Sequence, residues 1–198
     1  MSGQFSASKP DLTRTEFVLS AMDRAQLPVG GIEVAFAGRS NVGKSSTLNA
    51  LTRAGLARVS KTPGRTQALN VFAVAPGRHL IDLPGYGYAR APKDIQEHWT
   101  RLRDEYLNQR AELRALVVLV DIRRGLGPLD LALLAREDRR RFGLRLVLTK
   151  ADTLPRSAQQ NMLRATLEQR PGASAQLFSA HTGVGLEELR AWVSNQLV

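Results

Sequence analysis

Along the chain, short runs of apolar residues alternate with longer stretches in which apolar positions recur every three or four residues. Ile32 to Ala37, Leu69 to Val74, His79 to Asp82, Leu116 to Asp121, Leu144 to Thr149 and Gln176 to Ser179 each read as a strand. Helical spacing begins at Lys44, runs from near Ile95 to Asn108, from Leu129 to Phe142 and from Ser157 to Gln169, and begins again at Leu186. This alternation predicts an α/β fold with a mostly parallel six-stranded sheet, helices on both faces and ligands at the carboxyl ends of the strands. The runs on either side of Pro76-Gly77 lie too close together for a helical crossover. They are expected to pair as a hairpin, giving one antiparallel strand at a sheet edge.

Residues 1–16 are polar and read as a mobile tail. The short run Phe17-Val18-Leu19 is then broken by Leu27 to Gly31, and 17–198 is expected to form a single domain. With no cysteine in the chain, disulfides, thiolate metal sites and cysteine nucleophiles are all excluded. No apolar run approaches the roughly 20 residues of a membrane span, and the N-terminus lacks the apolar stretch of a signal peptide. A cytoplasmic monomer is expected. His79, His98 and His181 show no metal-ligand spacing and read as packing or surface residues. The net charge of +10 favours a polyanionic partner, nucleic acid or anionic membrane, without choosing between them. Arg136, Arg139, Arg140 and Arg141 read as a solvated helix face that could also meet RNA phosphates.

The chemistry is concentrated in four loops. Gly38-Arg39-Ser40-Asn41-Val42-Gly43-Lys44-Ser45 has the spacing GxxxxGK[ST] between a strand and a helix. There, tight glycine turns aim successive N–H groups at phosphate oxygens, and the helix start, including Ser46, adds its positive dipole end. Lys44 is expected to bridge the β- and γ-phosphates, and the Ser45 hydroxyl to ligate Mg²⁺. His79 to Asp82 ends a strand in a carboxylate, and Leu83-Pro84-Gly85 follows. Asp82 is therefore expected at the Mg²⁺, through a water, and the Gly85 N–H at the γ-phosphate. Between the two, Lys61-Thr62-Pro63-Gly64-Arg65-Thr66-Gln67 has the length and position of a switch loop, whose threonine would complete the Mg²⁺ shell; the loop chemistry does not separate Thr62 from Thr66.

Base selection is read at Thr149-Lys150-Ala151-Asp152. Guanine presents an N1–H and an exocyclic amine side by side, so one carboxylate, Asp152, accepts both, whereas adenine offers no such donor pair. The Lys150 stem would cover the base plane with its ammonium near the loop backbone. Phe178-Ser179-Ala180 closes a strand, with a backbone N–H near Ala180 directed at guanine O6. An ATP-dependent enzyme would leave the Thr-Lys-Ala-Asp loop unexplained.

Taken together, GRSNVGKSS, KTPGRTQALN, IDLPGYGYA, TKAD and FSA closely resemble the EngB family of ribosome-biogenesis GTP-binding proteins, translation-factor-related GTPases. The resemblance runs from the first strand to the last helix, and DLPGYGYA and TPGRTQ are its family-specific parts. It implies a Ras-like P-loop GTPase fold and assigns the switch Mg²⁺ ligand to Thr66. It also implies GTP and GDP as ligands and association with the large ribosomal subunit, its rRNA and proteins, during assembly, with a link to cell division and septation. Where Ras-type enzymes place a water-orienting glutamine after the Asp-x-x-Gly glycine this chain has Tyr86, so slow intrinsic hydrolysis is expected, with Lys44, Thr66 and Gly85 as the catalytic set. Asn41 stands where potassium-stimulated relatives carry asparagine, which adds K⁺ as a candidate cofactor, although asparagine also suits a left-handed loop position. Tyr86 and Tyr88 read equally as partner-contacting aromatics or as loop packing. The second reading is a nucleotide-regulated ribosome-binding module in which hydrolysis is incidental.

Overall fold

The structure is a computed structural model, and it describes residues 9–53, 55, 68–87, 92–137 and 142–198. Seven strands form one sheet: β1 (Glu16–Ala21), β2 (Ile32–Gly38), β3 (Leu69–Ala75), β4 (Arg78–Asp82), β5 (Leu113–Asp121), β6 (Gly143–Thr149) and β7 (Ser174–Leu177), in the order β1-β3-β4-β2-β5-β6-β7. From β4 to β7 every pairing is parallel, whereas β3 runs antiparallel to both β4 and β1. The helices are α1 (Lys44–Thr52), α2 (Lys93–Gln109), α3 (Pro128–Glu137), α4 (Arg156–Gln169) and α5 (Leu186–Gln196).

The expected α/β architecture is present, with one strand more than the six expected. The extra strand is β1, which contains the Phe17-Val18-Leu19 run and pairs outside β3, so the β3–β4 hairpin is not the sheet edge. Its residues Glu16, Phe17 and Val18 are exposed, and this half-solvated edge lacks the unbroken apolar signal of the central strands. Residues 10–15, expected as tail, are packed onto the domain. Asp11 caps a single 3₁₀ turn by accepting the Thr13 N–H, and Leu12 is buried against the core. In addition, the Ser194 hydroxyl of α5 donates to the Pro10 carbonyl at 3.2 Å.

Strand alternation divides the core in two. Leu116, Val118 and Val120 of β5 face one side, with Leu102 and Tyr106 of α2 and Leu133 and Leu134 of α3. Ala115, Val117 and Leu119 face the other, with Leu48 and Leu51 of α1 and Leu189 and Val193 of α5. Each fully buried leucine contributes about 1.5–3 kcal/mol, so both faces drive helix docking. At the amino end of the sheet Glu33, fully buried, accepts the Tyr106 hydroxyl at 2.8 Å and the Arg110 guanidinium at 2.6 and 3.0 Å. Burial and the adjoining carboxylate drive the Tyr106 pKa well up, so the phenol remains a donor. The polar lock closes one pole of the sheet and leaves the carboxyl ends of β2, β4, β5 and β6 to gather the loops described next.

Candidate functional site

The loop after β2 is built by its glycines. A Cβ on Gly38 would meet Val42 Cγ1 at 2.7 Å and the Leu119 carbonyl oxygen at 3.0 Å, so no side chain fits there. Gly43 adopts φ 101° and Asn41 φ 61°, left-handed values that bend the chain into the α1 start. Gly43 precedes Lys44, and the N–H groups of Lys44, Ser45 and Ser46 in the first turn have no carbonyl four residues back within the helix. The fold thus provides backbone donors and a helix dipole of the kind that binds phosphate.

Asp82, at the end of β4, is 2% exposed and its Oδ1 pairs with the Lys44 ammonium. Beyond it, Leu83 donates its N–H to the Phe36 carbonyl at 3.0 Å, and Pro84 is buried. Gly85 lies against the first loop: a Cβ there would be 3.4 Å from Ser40 Oγ, an atom that is buried without a hydrogen-bond partner. Ser45 stands half-buried one residue past Lys44. A serine hydroxyl and a strand-end carboxylate are hard oxygen donors, the chemistry Mg²⁺ accepts alongside nucleotide phosphates, so the residues present fit that ion. Gly64, Arg65 and Thr66, together with Thr62, lie outside the described residues.

Of the two readings of Tyr86, packing is the one the structure supports: it is 8% exposed, with its hydroxyl donating to Asp130 Oδ1 of α3 at 2.7 Å and the Arg103 guanidinium 5.4 Å from its ring centre. Burial first, and then the Asp130 carboxylate, raise its pKa, so it stays a neutral donor. Its backbone is tied to the first loop as well: Ser40 N–H donates to the Tyr86 carbonyl at 2.9 Å, and Tyr86 N–H to the Gly38 carbonyl at 3.3 Å. Asp130, 1% exposed, also accepts the Gly127 N–H at 2.8 Å. The hydroxyl is thereby held by α3. Tyr88, Arg139, Arg140 and Arg141, and the side chain of Arg136, fall outside the described residues.

The loop of Thr149 to Asp152 is joined to the loop of Gly38 to Ser45. Thr149 Oγ1 lies 2.7 Å from the Val42 carbonyl oxygen and 3.1 Å from that of Val120. Lys150, at φ 59°, donates to the Asn41 carbonyl and to Asp121 Oδ2, both at 2.8 Å. Ala151 N–H donates to the Phe178 carbonyl at 3.0 Å, and the Ser179 hydroxyl, fully buried, donates to Asp152 Oδ1 at 2.5 Å. Ser179 Oγ in turn accepts the N–H groups of His181 and Thr182 at 3.2 and 3.1 Å. Asp152 and Ala180 are exposed at the surface of this loop pair.

Three residues that sequence reasoning did not single out enter the site. Asp121 ends β5 and pairs with Lys150; its carboxyl is held well below the usual range by Arg123 and then by Lys150. Its signal was available, because a carboxylate ending an apolar strand is the feature that marks Asp82. Asp130 gives no such signal, since its partner Tyr86 is 44 residues away. Asn70 donates Nδ2–H to Asp82 Oδ2 at 3.3 Å, and no local pattern marks it. His79 is buried in β4, and desolvation lowers its pKa; it touches none of these loops in the hydrogen-bonding network.

The fold and these loops together define a P-loop protein of the GTPase class. A family model described as 50S ribosome-binding GTPase matches residues 33–150. The chain is 47% identical over 193 residues to the probable GTP-binding protein EngB of Stenotrophomonas maltophilia (strain K279a), covering 94% of this chain and 96% of that one. It is 49% identical over 189 residues to that of Xanthomonas euvesicatoria pv. vesicatoria (strain 85-10), covering 92% and 91%. It belongs to the EngB family of GTP-binding proteins. A crystal structure of a probable GTP-binding protein engB shares the fold with TM-score 0.68 at 24% identity, covering 83% of this chain and 99% of that one. The Era crystal structure, in complex with MgGDPNP and nucleotides 1506–1542 of 16S ribosomal RNA, does so with TM-score 0.67 at 21% identity, covering 86% and 58%. Among the described residues no helix is long and apolar enough to cross a membrane.

Proposed function

We propose that this chain is a slow GTPase switch that binds GTP and GDP with Mg²⁺ and acts in assembly of the large ribosomal subunit, with the link to cell division that its family resemblance implies. The observation that carries the nucleotide reading is the coupling of Asp152 and Ser179 on one side with Lys150 and Asn41 on the other. Ser179 occupies one Asp152 oxygen and so fixes the carboxylate plane, leaving acceptor capacity for the paired donors of guanine. Lys150 holds the base loop at a fixed position relative to the phosphate loop.

For hydrolysis, the N–H groups of residues 43–46 and the Lys44 ammonium would neutralise charge that develops on the transferring phosphoryl group. Ser45 and, through water, Asp82 would hold Mg²⁺, with Thr66 as the ligand that engages with γ-phosphate. When bound, Mg²⁺ would supply charge neutralisation to the nucleotide phosphates. The Gly85 N–H would meet the γ-phosphate. No amide stands at residue 86 to orient water, and the Tyr86 side chain is committed to Asp130, which supports slow intrinsic turnover completed by a partner or by K⁺ beside Asn41. The same observation favours the second reading, a nucleotide-regulated ribosome-binding module with incidental hydrolysis.

Partner binding follows from charge and family. A net charge of +10 suits rRNA phosphates, and the matching family model is described as ribosome-binding. The test measures nucleotide affinity by competition of GTP, GDP and ATP against a fluorescent guanine nucleotide. It adds co-sedimentation with large-subunit particles at rising salt, and single-turnover hydrolysis with and without particles in K⁺ or Na⁺. GTP and GDP should compete and ATP should not. Binding to particles should be tighter with GTP and weaken steeply with salt. Acceleration of hydrolysis by particles favours the switch, and an unchanged rate favours the binding module. Particle binding blind to both nucleotide and salt removes the ribosome reading.

A further inference from the structure

The register of the antiparallel edge places three polar side chains in a row. Ser20 of β1 stands opposite Asn70 of β3, and Asn70 opposite Asp82 of β4. Directly opposed residues on neighbouring strands project to the same face, and here they connect: the Ser20 hydroxyl donates to Asn70 Oδ1 at 2.7 Å, and Asn70 Nδ2–H donates to Asp82 Oδ2 at 3.3 Å. We propose that Asn70 is a positioning residue for Mg²⁺ at Asp82 and that Ser20 anchors its amide, so that edge strand β1 is part of the metal site. This rests on the GTPase reading above.

The two oxygens of Asp82 have different partners. Oδ1 pairs with Lys44, the residue read as moving its charge to the phosphates, and Oδ2 meets Asn70. Once Lys44 turns to a nucleotide, Asn70 is the partner that still restrains rotation of the carboxylate. Asn70 is suited to this because it sits in a strand and has no phosphate role. An asparagine amide flipped the other way would aim its oxygen at the carboxylate and repel it. The acceptor-only Asp82 carboxylate selects the orientation that presents the NH₂ to it, and the Ser20 hydroxyl, by donating to the amide oxygen, anchors the amide in that orientation. With the Asp82 side chain only 3% exposed, water competes poorly for its bond to Asn70, whereas the Ser20–Asn70 bond lies at the exposed edge. Outer partners of this kind fix the direction from which a carboxylate meets a metal or its bound water.

The experiment uses the full chain and titrates Mg²⁺ while following binding of a fluorescent GDP, with a parallel affinity measurement in EDTA. Asn70→Ala should leave the EDTA affinity within about twofold and raise the half-saturating Mg²⁺ concentration about tenfold. Ser20→Ala should raise it in the same direction but less, and Ser20→Thr, which keeps the donor, should restore it. In the double variant Ser20→Ala should add nothing to Asn70→Ala, because its effect passes through that amide. An unchanged Mg²⁺ midpoint in Asn70→Ala overturns the proposal, as do equal losses with and without Mg²⁺ or additive effects in the double variant, which are the marks of a plain strand contact. Should Asn70→Ala not fold, Ser20→Ala at the exposed edge and its threonine rescue decide the same question. An unmodified chain that binds no guanine nucleotide overturns the shared GTPase reading, a result distinct from any of these.

Discussion

The Lys150 ammonium lies 2.8 Å from the Asn41 carbonyl, so a residue of the base-side loop holds a residue of the phosphate-side loop 109 positions earlier. It makes a second 2.8 Å bond to Asp121, whose carboxylate is only 9% exposed. Lys150 is thus a cross-brace between two loops that would grip opposite ends of one ligand.

Lys150→Met keeps the stem and removes both bonds. Loss of charge-assisted bonds worth about 1.5–3 kcal/mol each should weaken GTP and GDP together, by about tenfold or more. Fluorescent-nucleotide titration checks this, and a loss confined to GTP would contradict a brace common to both states.

Asp152→Asn is expected to abolish tight GTP binding and to gain xanthosine triphosphate, because the new amide donor meets the carbonyl that replaces the guanine amine. Ser179→Ala should weaken GTP and GDP less, by about the 1 kcal/mol of one hydrogen bond, since Asp152 keeps its charge but loses its fixing partner. Competition assays with the two nucleotides read both outcomes.

Asp121 has its pKa lowered in the folded protein, chiefly by Arg123 and then by Lys150. A carboxyl with a folded value below its unfolded one, about 3.9, contributes stability that is complete above that pH and is lost as pH falls toward the folded value. Urea unfolding of the chain and of Asp121→Asn should therefore differ by a constant amount from pH 5 to 7 and converge below about pH 4. A difference that grows on acidification would reverse the sign argued here.

Tyr86→Phe leaves Asp130, 1% exposed, without its phenol donor while the Gly127 N–H bond remains. A destabilisation of about 1–3 kcal/mol is expected in urea unfolding. GDP affinity should change little, because the Tyr86 backbone bonds to Ser40 and Gly38 remain.

Lys44→Ala and Ser45→Ala should weaken triphosphate binding, through loss of phosphate neutralisation and of a Mg²⁺ ligand respectively. Thr66→Ala should spare GDP and weaken the GTP-specific state. Equal effects on GDP and GTP in the Thr66 variant would place the first switch elsewhere.

The phosphate loop was legible because its chemistry is contiguous: nine residues from Gly38 to Ser46 carry the turn, the charge and the helix start. Asp152 was legible for the same reason; Ser179, 27 positions away, is legible as part of the base-contacting Phe178-Ser179-Ala180 segment, but its side-chain bond to Asp152 is not. Tyr86 could not be placed from sequence, since burial of a tyrosine beside glycines depends on Asp130, delivered by another helix. The central strands stood out through unbroken apolar runs, Leu116 to Val120 above all. Strand β1 did not, because exposed Glu16, Phe17 and Val18 break its pattern, and the number of strands was accordingly one too few.

That edge strand has a consequence for the order of folding. Its strand partner among the described residues, β3, begins at Leu69, about fifty positions downstream, with Ser20 paired to Asn70. During synthesis at about 5–20 residues per second, β1 leaves the ribosome seconds before anything exists for it to pair with. The β3–β4 hairpin closes over a two-residue turn and can form on a far shorter timescale once made. The first strand of the sheet to be synthesised is therefore added late, onto a hairpin already assembled, and until then the β1 backbone lacks its ladder partner.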